Sequence, residues 1–342
     1  MPPTKSKTTI YDVADLANVA ISTVSRVIND SPDVSDKTRT RVREAIETLN
    51  FRPDRVARML AQPSDKIMAI AIPSFTTPFH NELLKGVRTR LAQEDIDLML
   101  CDLGSGDRRQ VLINFLRRGA VDGLLLVGVS LDPGITQELK TLQAPVVLVG
   151  RTSDQYDSYA WDNQAGARTA VRHLIRQGHT RIGMIRVQSR PIDLDLRYKG
   201  YREALKEAGV PLDETIVASG ETEKHRGYSE ETGYEAMQQL LEVDPPVTAV
   251  FASSDVQALG AWKAILDAGK KVPDDIALVG YDNVKSSHYF GLTSIDQRME
   301  EIGRKATQKL LARIEGKDTS APESVLIVPD IIVRRSSNRG EK

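Results

Sequence analysis

From Lys66 onward, short apolar runs alternate with longer amphipathic segments, and that alternation limits the possible folds more than any other feature of the chain. IMAIAIP, DLMLCD, GLLLVG, PVVLVG, RIGMIR, TAVFASSD and IALVGYD are apolar almost throughout and bounded by Gly, Pro or charged residues. Such runs suit strands buried on both faces of a parallel sheet. Between them lie stretches of helical periodicity, among them 81–93, 165–176, 198–208, 231–241 and 256–267. Strand and helix in alternation predict an α/β class with parallel sheets covered by helices. This region is roughly 275 residues long, more than one ordinary doubly wound sheet needs, so two such lobes with a cleft between them are expected. Polar residues gather where the runs end: Ser74 and Thr76, Asp102, Ser253 to Asp255, and Asp282 with Asn283. In open α/β sheets that edge binds ligands, so a small-molecule cleft is expected.

The first sixty residues read differently. Thr9 followed by Asp12 resembles a capping box, and 11–17 makes about two helical turns with Val13, Ala14, Leu16 and Ala17 available to a core. Asn18 tolerates a left-handed backbone and can reverse the chain. ISTVSRVIND then offers Val24, Val27 and Ile28 inward and Ser22, Thr23, Ser25, Arg26 and Asn29 around the rest of a second helix. Ser35 can cap a third helix carrying Val42, Ala45, Ile46 and Leu49, which Asn50 can close. Asp54 to Ala61 is too short for a stable helix alone. Two helices on a tight turn, the second with small polar residues and an arginine, fit a DNA-reading helix–turn–helix, although a solvated helical face fits the same pattern. Net charge over the whole chain is −1; residues 1–61 carry ten Lys or Arg against eight Asp or Glu, a small positive bias.

TIYDVADLANVAISTVSRVIND and VSDKTRTRVREAIETLNFRPDRVARMLA resemble the headpiece of the lactose-repressor and purine-repressor family. PFHNELLKGV, RRGAVDGLLL, DNQAGARTAVRHLIRQGHTRIGMI, RYKGYREALKEAGV, TAVFASSDVQALGAWKAILDAGKKVPDDIALVGYDN and LTSIDQRMEEIGRKATQKLL resemble that family's core in the same order, so the likeness spans about 8–335. There are two departures. The family's turn usually reads glycine-valine-serine where this chain has Asn18-Val19-Ala20, and Ala20 removes a capping hydroxyl at a cost of roughly 1 kcal/mol, leaving Ser22 as a substitute cap. An insertion around GETEKHRGYSEETGYEAM sets the loop near Tyr228 apart.

The resemblance implies a ligand-responsive, homodimeric DNA-binding repressor on a pseudo-palindromic operator, with a periplasmic-binding-protein-like core of two lobes. It divides the chain into a headpiece and hinge helix at 1–61, a first lobe at 62–161 with 294–322, and a second at 162–293 with 323–342. Ile21, Ser22 and Arg26 then read bases, Thr23, Ser25, Asn29, Ser35 and Tyr11 hold phosphates, Arg55 contacts the DNA from the hinge, and Leu60 enters the minor groove. Leu60 as a linker residue on the core is the plainer alternative. In the cleft the resemblance implies Arg197, Asp282, Gln297, Phe79, His80 and Tyr228 as effector contacts. Here too there are plainer roles: Arg197 paired at the surface with Asp193 or Asp195, Asp282 capping a turn, Gln297 serving the crossover.

Enzyme chemistry finds little support. His80, His173, His179, His225 and His288 show no metal-ligand spacing, Cys101 has no partner, and no GxxxxGK[ST] motif is present. No catalytic residue, metal or cofactor is therefore assigned. A sugar receptor of periplasmic type shares the two-lobed fold, but MPPTKSKTTIYD lacks the apolar region of a secretory signal, so a cytoplasmic protein is expected. No run approaches the roughly 18 apolar residues of a membrane span. A sugar or sugar acid is the expected effector, with a purine or phosphorylated metabolite the alternative. The ending VRRSSNRGEK has no leucine heptads, which favours a dimer over a tetramer.

Overall fold

The structure, a computed structural model, describes residues 8–28, 31–51, 66–104, 106–118, 121–188 and 195–338. It divides into two compact units, Met1–Lys66 and Ile67–Lys342. The smaller holds three helices: α1 (Ile10–Ala17), α2 (Ile21–Ile28) and α3 (Asp36–Thr48). The Asp12 carboxylate accepts from both the backbone N–H and the hydroxyl of Thr9, each at 2.7 Å, so the start of α1 is closed as its sequence suggests. Asn18 is left-handed (φ 50°, ψ 55°), and the Val19 N–H donates back to the Ala14 carbonyl at 3.0 Å, ending α1 within one residue. Val13, Ala14, Ala17, Val24, Val27, Val42 and Ala45 form a common core closed by Phe51.

Two expectations fail here. Leu16 is 52% exposed, because α1 buries only the stripe through Val13, Ala14 and Ala17. Ser22 does not cap α2; the helix starts at Ile21, and the Ala20 carbonyl takes the Thr23 and Val24 N–H groups at 2.9 and 3.2 Å. Ala20 therefore stands at the cap with no hydroxyl to offer. Ser35 does cap α3, accepting from the Thr38 N–H at 3.4 Å. Asn29, Arg55, Leu60 and the expected hinge at 54–61 lie outside the described residues.

In the larger unit β1 (Lys66–Ile72), α4 (Pro78–Leu91), β2 (Ile96–Asp102), α5 (Arg108–Arg117), β3 (Gly123–Val127), α6 (Pro133–Thr141), β4 (Val146–Val149) and β5 (Asp157–Trp161) build a first lobe. A second follows with α7 (Asn163–Arg176), β6 (Ile182–Ile185), α8 (Leu196–Glu207), β7 (Val217–Ala218), α9 (Glu230–Leu241), β8 (Ala249–Ala252), α10 (Asp255–Asp267), β9 (Ala277–Asp282), α11 (Lys285–Phe290) and β10 (Thr293–Asp296). The chain then returns to the first lobe with α12 (Met299–Ile314) and β11 (Ser324–Ile327), and ends in the second with β12 (Asp330–Ile332). The sheets run β2-β1-β3-β4-β5-β11 and β7-β6-β8-β9-β10-β12. Side chains alternate as a pleat requires: Met68, Ile70 and Ile72 enter the core under α4 and α12, while Ala69 and Ala71 face the opposite core.

The same strand order in both lobes places a reversal of direction at β1 and at β6, and ligands bind beyond the carboxyl ends of strands at such points. The lobe boundaries differ from the expected 293/294 and 322/323. Strand β10 pairs in parallel with β9, from Thr293 opposite Val279 to Asp296 opposite Asp282, so it stays in the second lobe. Strand β11 pairs in parallel with β5, Ser324 opposite Ser158 through Ile327 opposite Trp161, so it belongs to the first. These strands, TSID, SVLI and DSYAW, lack the continuous apolar run that marks the others. Their polar residues are satisfied by partners distant in sequence: the buried Asp157 carboxylate accepts from Arg313 Nε at 2.8 Å and from the Glu323 N–H at 2.9 Å.

Candidate functional site

On α2, Ile21, Ser22 and Arg26 are exposed, Ser25 is half-buried, and the spacing of one, four and five residues sets all four on one side of the helix, opposite Val24 and Val27. Thr23 is half-buried at the edge of that face. Tyr11 is 65% exposed, and Ser35 is exposed at its cap. The small unit thus shows solvent a helix face of two hydroxyls, a guanidinium and one aliphatic group. These are donors, acceptors and an apolar contact of the kinds that base edges and phosphates accept.

In the larger unit Arg197 is the hub of the cleft. Asp195 caps α8, and Arg197 follows as its second residue, only 12% exposed. Its guanidinium donates from Nε to Asn163 Oδ1 at 3.0 Å and from one terminal nitrogen to the Ser253 carbonyl. The other terminal nitrogen lies 3.6 Å from Asp282 Oδ1, and Cζ sits 3.7 Å above the centre of the Tyr281 ring. Burial works against this charge, yet Asp282, then Tyr281, Tyr228 and Asp195, outweigh it and raise the Arg197 pKa. Burial likewise pushes the Asp282 carboxyl above the usual carboxylate range, against the pull of Arg197 and a hydrogen bond from Gln297.

The plainer alternatives for these residues can be weighed directly. Asp195 pairs with Arg186 at 3.5 Å, while Arg197 turns inward; Asp193 lies outside the described residues. Asp282 is not the cap of the following turn, because Asp255 takes the Val284 N–H at 2.9 Å and the Ser287 and Ser294 hydroxyls at 2.6 Å each. Asp282 is held at φ 114°, a backbone region costly for a residue with a side chain, and its Oδ1 accepts from Gln297 Nε2 at 2.6 Å. Gln297 lies in the crossover between β10 and α12, and its carbonyl accepts from the Trp161 indole N–H at 2.7 Å. It joins the crossover to the cleft and so fills both roles.

Phe79 packs edge-on against Trp161, with ring centres 6.2 Å apart, and against His80 at 5.2 Å. His80 Nδ1 is 2.6 Å from the Thr77 hydroxyl, and burial, aided by Arg108 and His225, pushes its pKa down to about 4. Alongside runs a cavity of about 850 Å³, lined from the first lobe by Pro73, Ser74, Asp102 and Arg108 and from the second by the segment 220–227. That segment opens the stretch GETEKHRGYSEETGYEAM, which departs from the resemblance in the sequence. His225 (φ 50°), Arg226 (φ 60°) and Gly227 (φ 85°) make a left-handed turn, which costs roughly 1–2 kcal/mol at each non-glycine position. Side chains of α9 and α10 hold both ends: the half-buried Glu235 accepts the Glu221 and Thr222 N–H groups, and the buried Gln257 donates from Nε2 to the Gly227 carbonyl at 2.9 Å.

Of the six expected effector contacts, Arg197, Asp282 and Gln297 form one connected group, Phe79 and His80 pack on each other with Phe79 against Trp161, whose indole bonds to Gln297, and none of the six lines the cavity itself. Residue-by-residue reading of the sequence misses Trp161, Asn163, Arg108, His225 and Arg226 as cleft residues, whereas Ser253 stood among the polar residues at strand ends. Trp161 ends and Asn163 follows a strand the sequence hides, β5, whereas Arg108 lies six residues after Asp102, whose place at a strand end was visible. Thr76 is exposed and bonded to the Ser74 hydroxyl. Cys101 is buried within β2. Among the described residues no cluster of His, Cys, Asp or Glu could hold a metal, and no helix is long and apolar enough to cross a membrane.

Residues 9–54 match a family model described as bacterial regulatory proteins, lacI family, and residues 171–337 match one described as a periplasmic binding protein-like domain. The HTH-type transcriptional repressor PurR of Mannheimia succiniciproducens is 33% identical over 334 residues, which cover 96% of this chain and 98% of that protein. The solved complex of the transcriptional regulator CelR with cellobiose is 34% identical, covers 96% of this chain and 100% of its own, and superposes with a TM-score of 0.68. The lac repressor dimer bound to operator and the anti-inducer ONPF is 26% identical, with 97% and 99% coverage and a TM-score of 0.76.

Proposed function

The chain belongs to the lacI family of bacterial regulatory proteins, and from that membership we propose how its two units divide the work. It is a DNA-binding transcriptional repressor, not an enzyme, that acts as a dimer on operator DNA and answers to a small molecule. In our reading it works in the cytoplasm. The exposed side of α2 reads the operator: Arg26 offers paired donors to a guanine edge, Ser22 a hydroxyl, and Ile21 contact to a thymine methyl. Thr23, Ser25, Ser35 and Tyr11 hold the flanking phosphates. The effector lies between Arg197 and Asp282 on the second lobe and Phe79 and His80 on the first. A sugar or sugar acid suits alternating donors and acceptors beside an aromatic wall; a purine is the second reading, favoured only by the grouping of Phe79, His80 and Trp161.

One observation carries this reading: Gln297, in the crossover between lobes, spends its amide on Asp282. A ligand that takes Asp282 competes with that bond, so occupancy of the cleft bears directly on the segment that sets the angle of the lobes. By linkage, an effector that weakens operator binding must bind the operator-bound protein less tightly by the same factor. Selection from a randomised DNA pool, followed by titration of the enriched sequence with sugars, sugar acids and purines, tests the proposal. Enrichment of a two-fold symmetric sequence whose affinity shifts with one compound class is expected. Asymmetric enrichment, or affinity indifferent to every class, would overturn it.

A further inference from the structure

The 220–227 segment walls a space that the Arg197 group does not line: the cavity of about 850 Å³ lies between this segment and the strand ends of the first lobe. The two regions are neighbours all the same. His80 is hydrogen-bonded to the backbone of Ser74, which lines the cavity, and Tyr228, which acts on Arg197, directly follows the turn. The lining has a chemistry of its own. Asp102, Glu221 and Glu223 stand against Arg108, Lys224 and Arg226, so carboxylates and cations are equal in number, and Ser74, Thr222 and Gln188 add neutral polar groups. Such a surface favours neither an anion nor a cation, and it gives an apolar group little to pack on. It suits a neutral group whose every hydroxyl both donates and accepts: carboxylates take the protons, while Arg, Lys and amide N–H groups meet the lone pairs. Several of these groups are fixed before a ligand arrives. Arg108 Nε donates to the Gly104 carbonyl at 2.6 Å, Lys224 lies 2.7 Å from Glu231, and the left-handed turn is tied down by Glu235 and Gln257. Preorganisation of this kind lowers the entropy cost of binding.

We infer that the turn builds a second sugar subsite, and that the effector is a neutral oligosaccharide: one ring is held by Arg197 and Asp282 against Phe79 and His80, and the next occupies the cavity between Arg108 and residues 221–226. The inference rests on the reading of the cleft as a sugar-binding effector site. Size supports it. Ligand sites of roughly 300–1,000 Å³ enclose molecules larger than a single sugar ring, and a monosaccharide held at Arg197 would leave this cavity to solvent. The second ring touches Arg108 on one lobe and the turn on the other, so the length of the ligand, and not its hydroxyl pattern alone, draws the lobes together. The stretch that forms the wall is where this chain departs from the resemblance in its sequence, which makes selection by length a property of this chain's own loop.

Calorimetric titrations of the full chain with graded series test it: glucose, maltose and maltotriose; xylose, xylobiose and xylotriose; galactose and lactose. In a series that binds, the disaccharide should bind about ten-fold or more tightly than its monosaccharide. Replacing residues 223–226 by two glycines should remove that gain and leave the monosaccharide within about two-fold of its original affinity. Arg108→Gln, on the opposite lobe, should act in the same way, which keeps the test decisive even where the shortened turn lowers the melting temperature. Monosaccharides binding as tightly as their longer partners would overturn the proposal, as would a preference for length that survives in both variants. Asp282→Asn separates that failure from failure of the cleft reading. Monosaccharide binding lost in this variant leaves the cleft reading intact and removes only the second subsite, whereas sugar binding indifferent to it, or no response to any sugar of the three series, removes the reading and the inference with it.

Discussion

Ala20 stands where the second helix of the small unit begins, its carbonyl accepting the first helical N–H groups while its methyl caps nothing. Ala20→Ser should therefore stabilise the unit by about 0.5–2 kcal/mol, read as slower amide exchange of Val24 and Val27; unchanged exchange would mean that another group already satisfies those donors. Arg26 is exposed on the face opposite the core, so Arg26→Ala should leave melting unchanged, cost about 1–3 kcal/mol on the preferred operator and relax one position of each half-site. An equal loss on all sequences would make it a phosphate clamp. His80 titrates in an acidic window. Its folded pKa of about 4 lies below the ordinary 6.5, so between those values the unfolded chain binds the extra proton and stability falls as pH falls. The loss, at most about 3 kcal/mol and less where solvent screens the ring, should be absent in His80→Gln when melting is followed from pH 7 to 4. The chemistry of these side chains was legible in the sequence. The neighbours of His80 were not, because Arg108 and His225 reach it from positions that only the folded lobes bring close.

Helix pairs hold each lobe by close approach at small residues. A Cβ on Gly86 of α4 would lie 1.9 Å from the Glu300 carbonyl oxygen of α12, and one on Gly303 of α12 would lie 2.2 Å from the Leu83 oxygen of α4. The second lobe repeats the arrangement between α9 and α10, where Gly233 meets the Gln257 carbonyl and Gly260 that of Glu230. Backbone cannot yield as a flexible side chain can, so Gly86→Ala or Gly303→Ala should force the helices apart and cost about 1–3 kcal/mol or more. Urea midpoints of the full chain would measure it; a change smaller than about 0.5 kcal/mol would show that the helices slide freely. Sequence periodicity revealed these helices and the strands with continuous apolar runs, because burial on both faces writes itself into composition. It did not reveal β5, β10 and β11. Their buried polar groups, Asp157, Ser158, Thr293 and Ser294, are paid for by partners such as Arg313, Ser324 and Asp255, and a pairing across 39 to 166 residues leaves no local trace. The expected lobe boundaries moved for that reason.

At the scale of the whole molecule, the cleft matters only if it speaks to the operator. The two lobes are joined where β5 leads into α7, where β10 leads into α12 and where β11 leads into β12, and the first two joints are linked by the hydrogen bond from Trp161 to Gln297. Gln297 in turn holds Asp282, and Asp282 faces Arg197. An effector that engages Arg197 and Asp282 thus pulls on the joints themselves. Arg197→Ala or Asp282→Asn should weaken effector binding by about 2–4 kcal/mol, because buried ligand groups lose their partners, while operator affinity without effector stays near normal. If the effector induces, both variants should stay on the operator when it is added; if it co-represses, they should fail to gain affinity. Operator titrations with and without effector decide between these outcomes, and an intact response in both variants would remove the pair from the effector site. Arg197 also binds Asn163 and the Ser253 carbonyl, so its removal leaves protein acceptors unpaired as well, and the melting temperature without ligand must be followed in parallel. Asp282→Asn is the cleaner variant, since it keeps an oxygen for Gln297 and Arg197 and changes only the charge. A loss of effector response at unchanged melting temperature in that variant would place the signal in the carboxylate, whereas a collapse of melting in both would return the cluster to the architecture of the joints.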